Sequence, residues 1–168
     1  MEIALEEIIE KIIIHKELNS KTNNYAFLKL TANQMAMVKK ALLENEIVAI
    51  DPPYEPTLGR EKINKTRNII HDCSEQGIDE LLERDELKIS IPTRYPHATI
   101  NILNLHLVDD KSKLQKLNQA IRYCNEGVAF NIFTTDERLK EYFTSNGKSL
   151  DYRDDLQVIE VKSLEVIL

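Results

Sequence analysis

The chain has 168 residues, of which 42% are apolar and 30% charged, with a formal net charge of −6. That is enough for one domain with a proper core, and no global basic charge draws it to nucleic acid or to an anionic membrane. Cys73 and Cys124 lie far apart with no Cys-x-x-Cys, no apolar run approaches the roughly 20 residues of a membrane span, and Glu2, Glu6 and Glu7 are the wrong charge for a signal peptide, so a reduced, cytoplasmic chain outside the membrane is expected.

Residues 2–18 place Ile3, Ile8, Ile9, Ile12 and Ile13 at helical spacing between Glu6, Glu7, Glu10 and Lys11, which predicts an amphipathic helix ended by the polar cluster 19–24. Its isoleucine stripe is expected to be buried, within the chain or against a protein partner or second copy. A short strand is expected at 25–30. Thr31-Ala-Asn-Gln34 has capping-box spacing and opens a helix through Met35, Val38, Leu42 and Leu43. IVAI at 47–50 reads as a strand, followed by Asp51 and a turn forced by Pro52 and Pro53.

A Pro-rich loop at 52–59 precedes a helical pattern at 60–73 with a basic face (Arg60, Lys62, Lys65, Arg67), and Gly77 separates it from a short helix at 78–84. Residues 87–91 alternate as a strand up to Pro92. TINILNLHLV at 99–108 alternates with period two, helix remaining open, and Asp109-Asp110 closes it. A helix at 111–126 carries Leu114, Leu117, Ile121 and Cys124 on one face and stops at Gly127. Val128, Ala129, Phe130, Ile132 and Phe133 then make a near-continuous apolar run, suited to a strand covered on both faces. Thr134-Thr135-Asp136-Glu137 starts a helix with Thr-x-x-Glu spacing, and LQVIEV at 156–161 is a last strand. Helices alternating with strands predict a three-layer α/β domain with a central, mainly parallel sheet and an N-terminal helical extension over 1–46 packed on the core, 47–168 forming the α/β domain proper.

Three of these apolar segments end in aspartate: Asp51, Asp109-Asp110 and Asp136. On parallel neighbouring strands the carboxylates gather at one edge, where ligands of open α/β sheets are held. Clustered carboxylates repel, and a Mg²⁺ or Mn²⁺ ion relieves that by accepting hard oxygen ligands and can then drive phosphate hydrolysis. The same residues serve equally well as structural groups. Asp110 and Asp136 stand where helices begin, and Asp51 before two prolines is an ordinary turn residue.

From about residue 104 to 164 the chain resembles the PIN-domain ribonucleases. An acidic pair is followed by a helix (DDKSKLQKLNQAIRYCNEG), an apolar strand ending in Thr-Thr-Asp-Glu-Arg-Leu, a helix, and a short strand before Ser-Leu (LQVIEVKSL). The resemblance implies RNA cleavage with Mg²⁺ or Mn²⁺ held by Asp110 or Asp109 together with Asp136. The counterpart of the family's first acid would be Asp51, and Glu83 and Glu86 are the acids nearest to its mid-domain glutamate. A second signal, Glu160-Val161-Lys162, resembles the Glu-x-Lys half of a PD-(D/E)xK nuclease site, with Asp154 or Asp155 upstream. The competing expectation is a non-catalytic α/β protein-interaction module or an inactive nuclease relative, in which the acids are caps.

Overall fold

The computed structural model describes residues 2–13, 25–49, 65–82, 98–122, 128–143 and 157–161. Seven strands form the sheet: β1 (Glu2–Ile3), β2 (Tyr25–Lys29), β3 (Ile47–Ala49), β4 (Lys65–Asp72), β5 (Thr99–Leu103), β6 (Ala129–Thr134) and β7 (Gln157–Val161). Their order is β1-β7-β2-β6-β5-β4-β3. Every pairing is parallel except that of β3 with β4. The helices are α1 (Leu5–Ile13), α2 (Ala32–Glu44), α3 (Asp79–Leu82) and α4 (Lys111–Arg122), with 3₁₀ turns at Leu105–Leu107 and Glu137–Tyr142.

Two apolar clusters give the three layers. On one face α1 (Leu5, Ile8, Ile12) and α2 (Met35, Val38, Leu42) pack on Ala26, Leu28, Leu103 and Phe133. On the other, α3, α4 and the second 3₁₀ turn (Leu81, Leu114, Leu117, Ile121, Leu139) pack on Phe27, Ile100, Ile102, Phe130 and Ile132. All six residues of β6 are buried, which is why its sequence is a near-continuous rather than an alternating apolar run, broken at Asn131. The fold is thus the expected α/β type with a mainly parallel sheet.

Several elements differ from the sequence reading. Residues 1–46 contribute more than helices, because β2 lies inside the sheet between β6 and β7. Ile3 belongs to strand β1, and α1 starts two residues later. Its stripe is consumed within the chain: Ile8 and Ile12 are buried, Ile9 is half-buried, and Ile13 is 48% exposed. The described part of the expected 60–73 helix is strand β4. Ile69 packs on one apolar cluster and Ile70 on the other, so consecutive residues serve opposite faces, which only an extended chain allows. β3 runs antiparallel rather than parallel, with Ala49 opposite Lys65, the first residue of β4.

After β5 the chain does not continue as a strand. Asn104 adopts φ 59° and turns it into the first 3₁₀ turn, a left-handed conformation that Asn tolerates better than most residues. The expected helix after β6 is a 3₁₀ helix capped by Asp136, whereas Thr134 remains in the strand. The Thr31–Gln34 capping box is formed as expected, with Gln34 N 3.2 Å from Thr31 Oγ1 and Thr31 N 2.9 Å from Gln34 Oε1. Among the described residues no helix is long and apolar enough to cross a membrane.

Candidate functional site at the carboxyl edge of the sheet

The connection leaving β2 is α2, on one face of the sheet, and the connection leaving β6 is the 3₁₀ helix on the other. Neighbouring strands whose connections depart to opposite faces make a topological switch point, where open α/β sheets hold their ligands. The rim there is built by Leu30 and Thr31 after β2 and by Thr134 to Asp136 at the end of β6. The ladder carries one bond past the β2 strand, with Leu30 N donating to Thr134 O at 2.8 Å.

Two strands along from β6, β4 ends in Asp72, and this acid dominates its part of the edge. Its side chain is 4% exposed yet ionised. Oδ2 accepts from Lys39 Nζ of α2 at 2.6 Å, and Oδ1 accepts from Ser74 N (2.9 Å), Ser74 Oγ (2.7 Å) and Asn104 Nδ2 (2.8 Å). Burial alone would raise the carboxyl pKa. The bonds from Asn104, Lys39 and Ser74 outweigh burial and hold it well below the usual carboxylate range. Lys39 also reaches Glu75 Oε1 at 2.5 Å.

A second group sits between β5 and β6. Thr135 N donates to His106 Nδ1 at 3.3 Å, and Thr134 Oγ1 lies 3.1 Å from the same nitrogen while accepting from Asp136 N at 3.1 Å. The Thr135 N–H can only donate, so Nδ1 must accept, and the Thr134 hydroxyl turns its proton to the same nitrogen. With Nδ1 accepting, the ring nitrogen that can donate is Nε2.

Of the acids singled out in the sequence, Asp110 and Asp136 serve as structural groups. Asp110 is exposed, and its Oδ1 accepts from Ser112 N (2.9 Å) and Lys113 N (3.4 Å) in the first turn of α4. Asp109 is also exposed. Asp136 caps the 3₁₀ helix: Oδ1 accepts from Arg138 N (3.0 Å) and Nε (3.1 Å), and Oδ2 from Arg138 Nη2 (3.0 Å). These Arg138 bonds hold its carboxyl below the ordinary range. Asp110 and Asp136 follow β5 and β6, which are neighbouring parallel strands. Asp51, Glu83, Glu86, Asp154, Asp155 and Lys162 lie outside the described residues, and of Glu160 the backbone alone is described, in β7 opposite Glu2.

Among the described residues the carboxylates of Asp72 and Asp136 are already engaged by the chain itself. Asp72 Oδ2 accepts from Lys39 and its Oδ1 from Ser74 and Asn104, both oxygens of Asp136 accept from Arg138, and the interior strand β2 ends in Lys29-Leu30-Thr31 without a carboxylate. Among the described residues no three His, Cys, Asp or Glu side chains form a group able to hold a metal. Sequence reasoning missed Asp72, Lys39 and Asn104. Comparison with known protein families, with curated proteins and with solved structures gives no match.

Proposed function

We propose that the chain is a non-catalytic α/β protein-interaction module whose carboxyl edge has been built for rigidity. The observation that carries this reading is that the edge acids are committed to the chain's own donors: Asp72 to Lys39, Ser74 and Asn104, Asp136 to Arg138, and Asp110 to the first turn of α4. A catalytic carboxylate has to keep lone pairs for a metal or a proton. For partner contact the outer face of α2 offers Met37 and Leu43, 48% and 52% exposed, beside Lys40.

The metal-dependent ribonuclease reading is kept as the second, because Asp110 and Asp136 follow the neighbouring parallel strands β5 and β6 and are the acids that the PIN resemblance implies as metal ligands. Incubating the protein with single-stranded RNA and millimolar Mn²⁺ or Mg²⁺ separates the two. The module leaves the RNA intact with or without EDTA. Cleavage that EDTA stops and Asp136→Asn abolishes would replace the module by the nuclease.

A further inference from the structure

We infer that the side-chain bond between Asn101 and Asn131 is a register lock for the parallel core of the sheet. Asn101 on β5 and Asn131 on β6 are register partners, 0% and 6% exposed, on the face that α1 and α2 cover. Asn131 Nδ2 donates to Asn101 Oδ1 at 3.1 Å, and Asn101 Nδ2 donates to Ile69 O of β4 and Thr99 O of β5, each at 3.3 Å. The amide orientations follow from chemistry. The carbonyls of Ile69 and Thr99 can only accept, so Asn101 must turn its NH₂ to them and its oxygen to Asn131. One polar pair therefore spans three adjacent strands.

Apolar patterning alone leaves the register open. A slip of β6 against β5 by one residue moves its side chains to the wrong face and is excluded. A slip by two keeps every residue on its own face. In one direction it sets Ile100 and Ile102 against Val128 and Phe130, which are equally apolar, and in the other against Ile132 and Thr134. On the opposite face the same slip is not neutral. In the first direction Asn101 would face Ala129 and Asn131 would face Leu103, in the second Phe133 and Thr99, and either breaks the amide pair in a dry interior. A buried amide without a partner is penalised far more than a made bond is rewarded, so the pair selects the native register from its nearest competitor.

The test is the double variant Asn101→Leu/Asn131→Leu, with Asn101→Val/Asn131→Val as a smaller pair in case Leu overfills the site. Circular dichroism reports folding, and amide and methyl NMR reports register through the Ile100–Phe130 and Ile102–Ile132 contacts across the strands. The register lock predicts a folded double variant with more than one set of signals for β5 and β6, and single variants that melt lower than the double because one amide is left unpaired. A folded double variant with one set of signals and the parental contacts would overturn it. Failure of both the Leu and the Val pair to fold would overturn it too, since the pair would then supply stability rather than choice of register.

Discussion

Lys39 of α2 places its Nζ 2.6 Å from Oδ2 of Asp72 at the end of β4, joining a helix on one face of the sheet to the rim where three strands end. The helix is thereby fixed at its middle, and the same carboxylate holds Asn104 at the end of β5. One buried acid sets the geometry of the edge.

Lys39→Met leaves that carboxylate one donor short, and the unfolding free energy should fall by ~1–3 kcal/mol. Glu75, the other partner of Lys39, has a side chain 67% exposed. Glu75→Gln should change stability by less than about 1 kcal/mol. Urea denaturation of both variants beside the parent checks the order. Equal effects would mean that Lys39 works through the surface pair and not through Asp72.

Acid should destabilise the fold in two steps. Burial holds His71 below its ordinary pKa, against the opposing bond to Gly77 O, so the unfolded chain takes up that proton first. Asp72 is likewise held low by its donors. Both depressed values mean stability that is present above the unfolded pKa and lost as pH falls, first below about pH 6.5 and again below about pH 4. Melting temperature followed from pH 8 to pH 3 should show the first decline removed in His71→Gln and the second in Asp72→Asn. Unchanged profiles in the variants would assign the acid response to other groups.

Ile8 of α1 is fully buried and Ile13 is 48% exposed, although the two look alike in the sequence. Ile8→Ala should cost ~2–5 kcal/mol, and Ile13→Ala should stay within about 0.5 kcal/mol. Light scattering adds a separate reading. A change of mass in Ile13→Ala would show that the end of the helix holds a second copy.

Cys73 lies beside Asp72, and burial, with the Asp72 charge adding to it, pushes its thiol up to about 12. In a Cys124→Ser background it should resist a disulfide reagent at pH 8 in the native state and react fully in urea. Rapid native labelling would contradict the packing drawn for the end of β4.

Much of this architecture could be read before any coordinates, and the failures have a common cause. The near-continuous apolar run of β6 and the Thr31–Gln34 box are local signals, and both were legible. β4 was not, because Lys65, Arg67 and the adjacent Ile69-Ile70 match neither alternation nor a clean helical stripe. That misreading hid Asp72. Once 65–72 is seen as a strand, Asp72 satisfies the same rule that singled out Asp136, an acid ending an apolar strand at the carboxyl edge. The direction of β3 was equally hidden, since nothing in Ile47-Val48-Ala49 says which way it runs beside β4. Lys39 and Asn104 are joined to Asp72 only by the fold, and no spacing in the chain announces them.

The central claim, that the edge acids serve the fold and not a metal, is tested most directly by calorimetric titration of the intact protein with Mn²⁺, beside Asp136→Asn and Asp72→Asn. The account predicts no saturable binding at millimolar Mn²⁺ in the parent and no difference between parent and variants. Saturable binding in the parent that either substitution removes would contradict it and return the edge to metal chemistry.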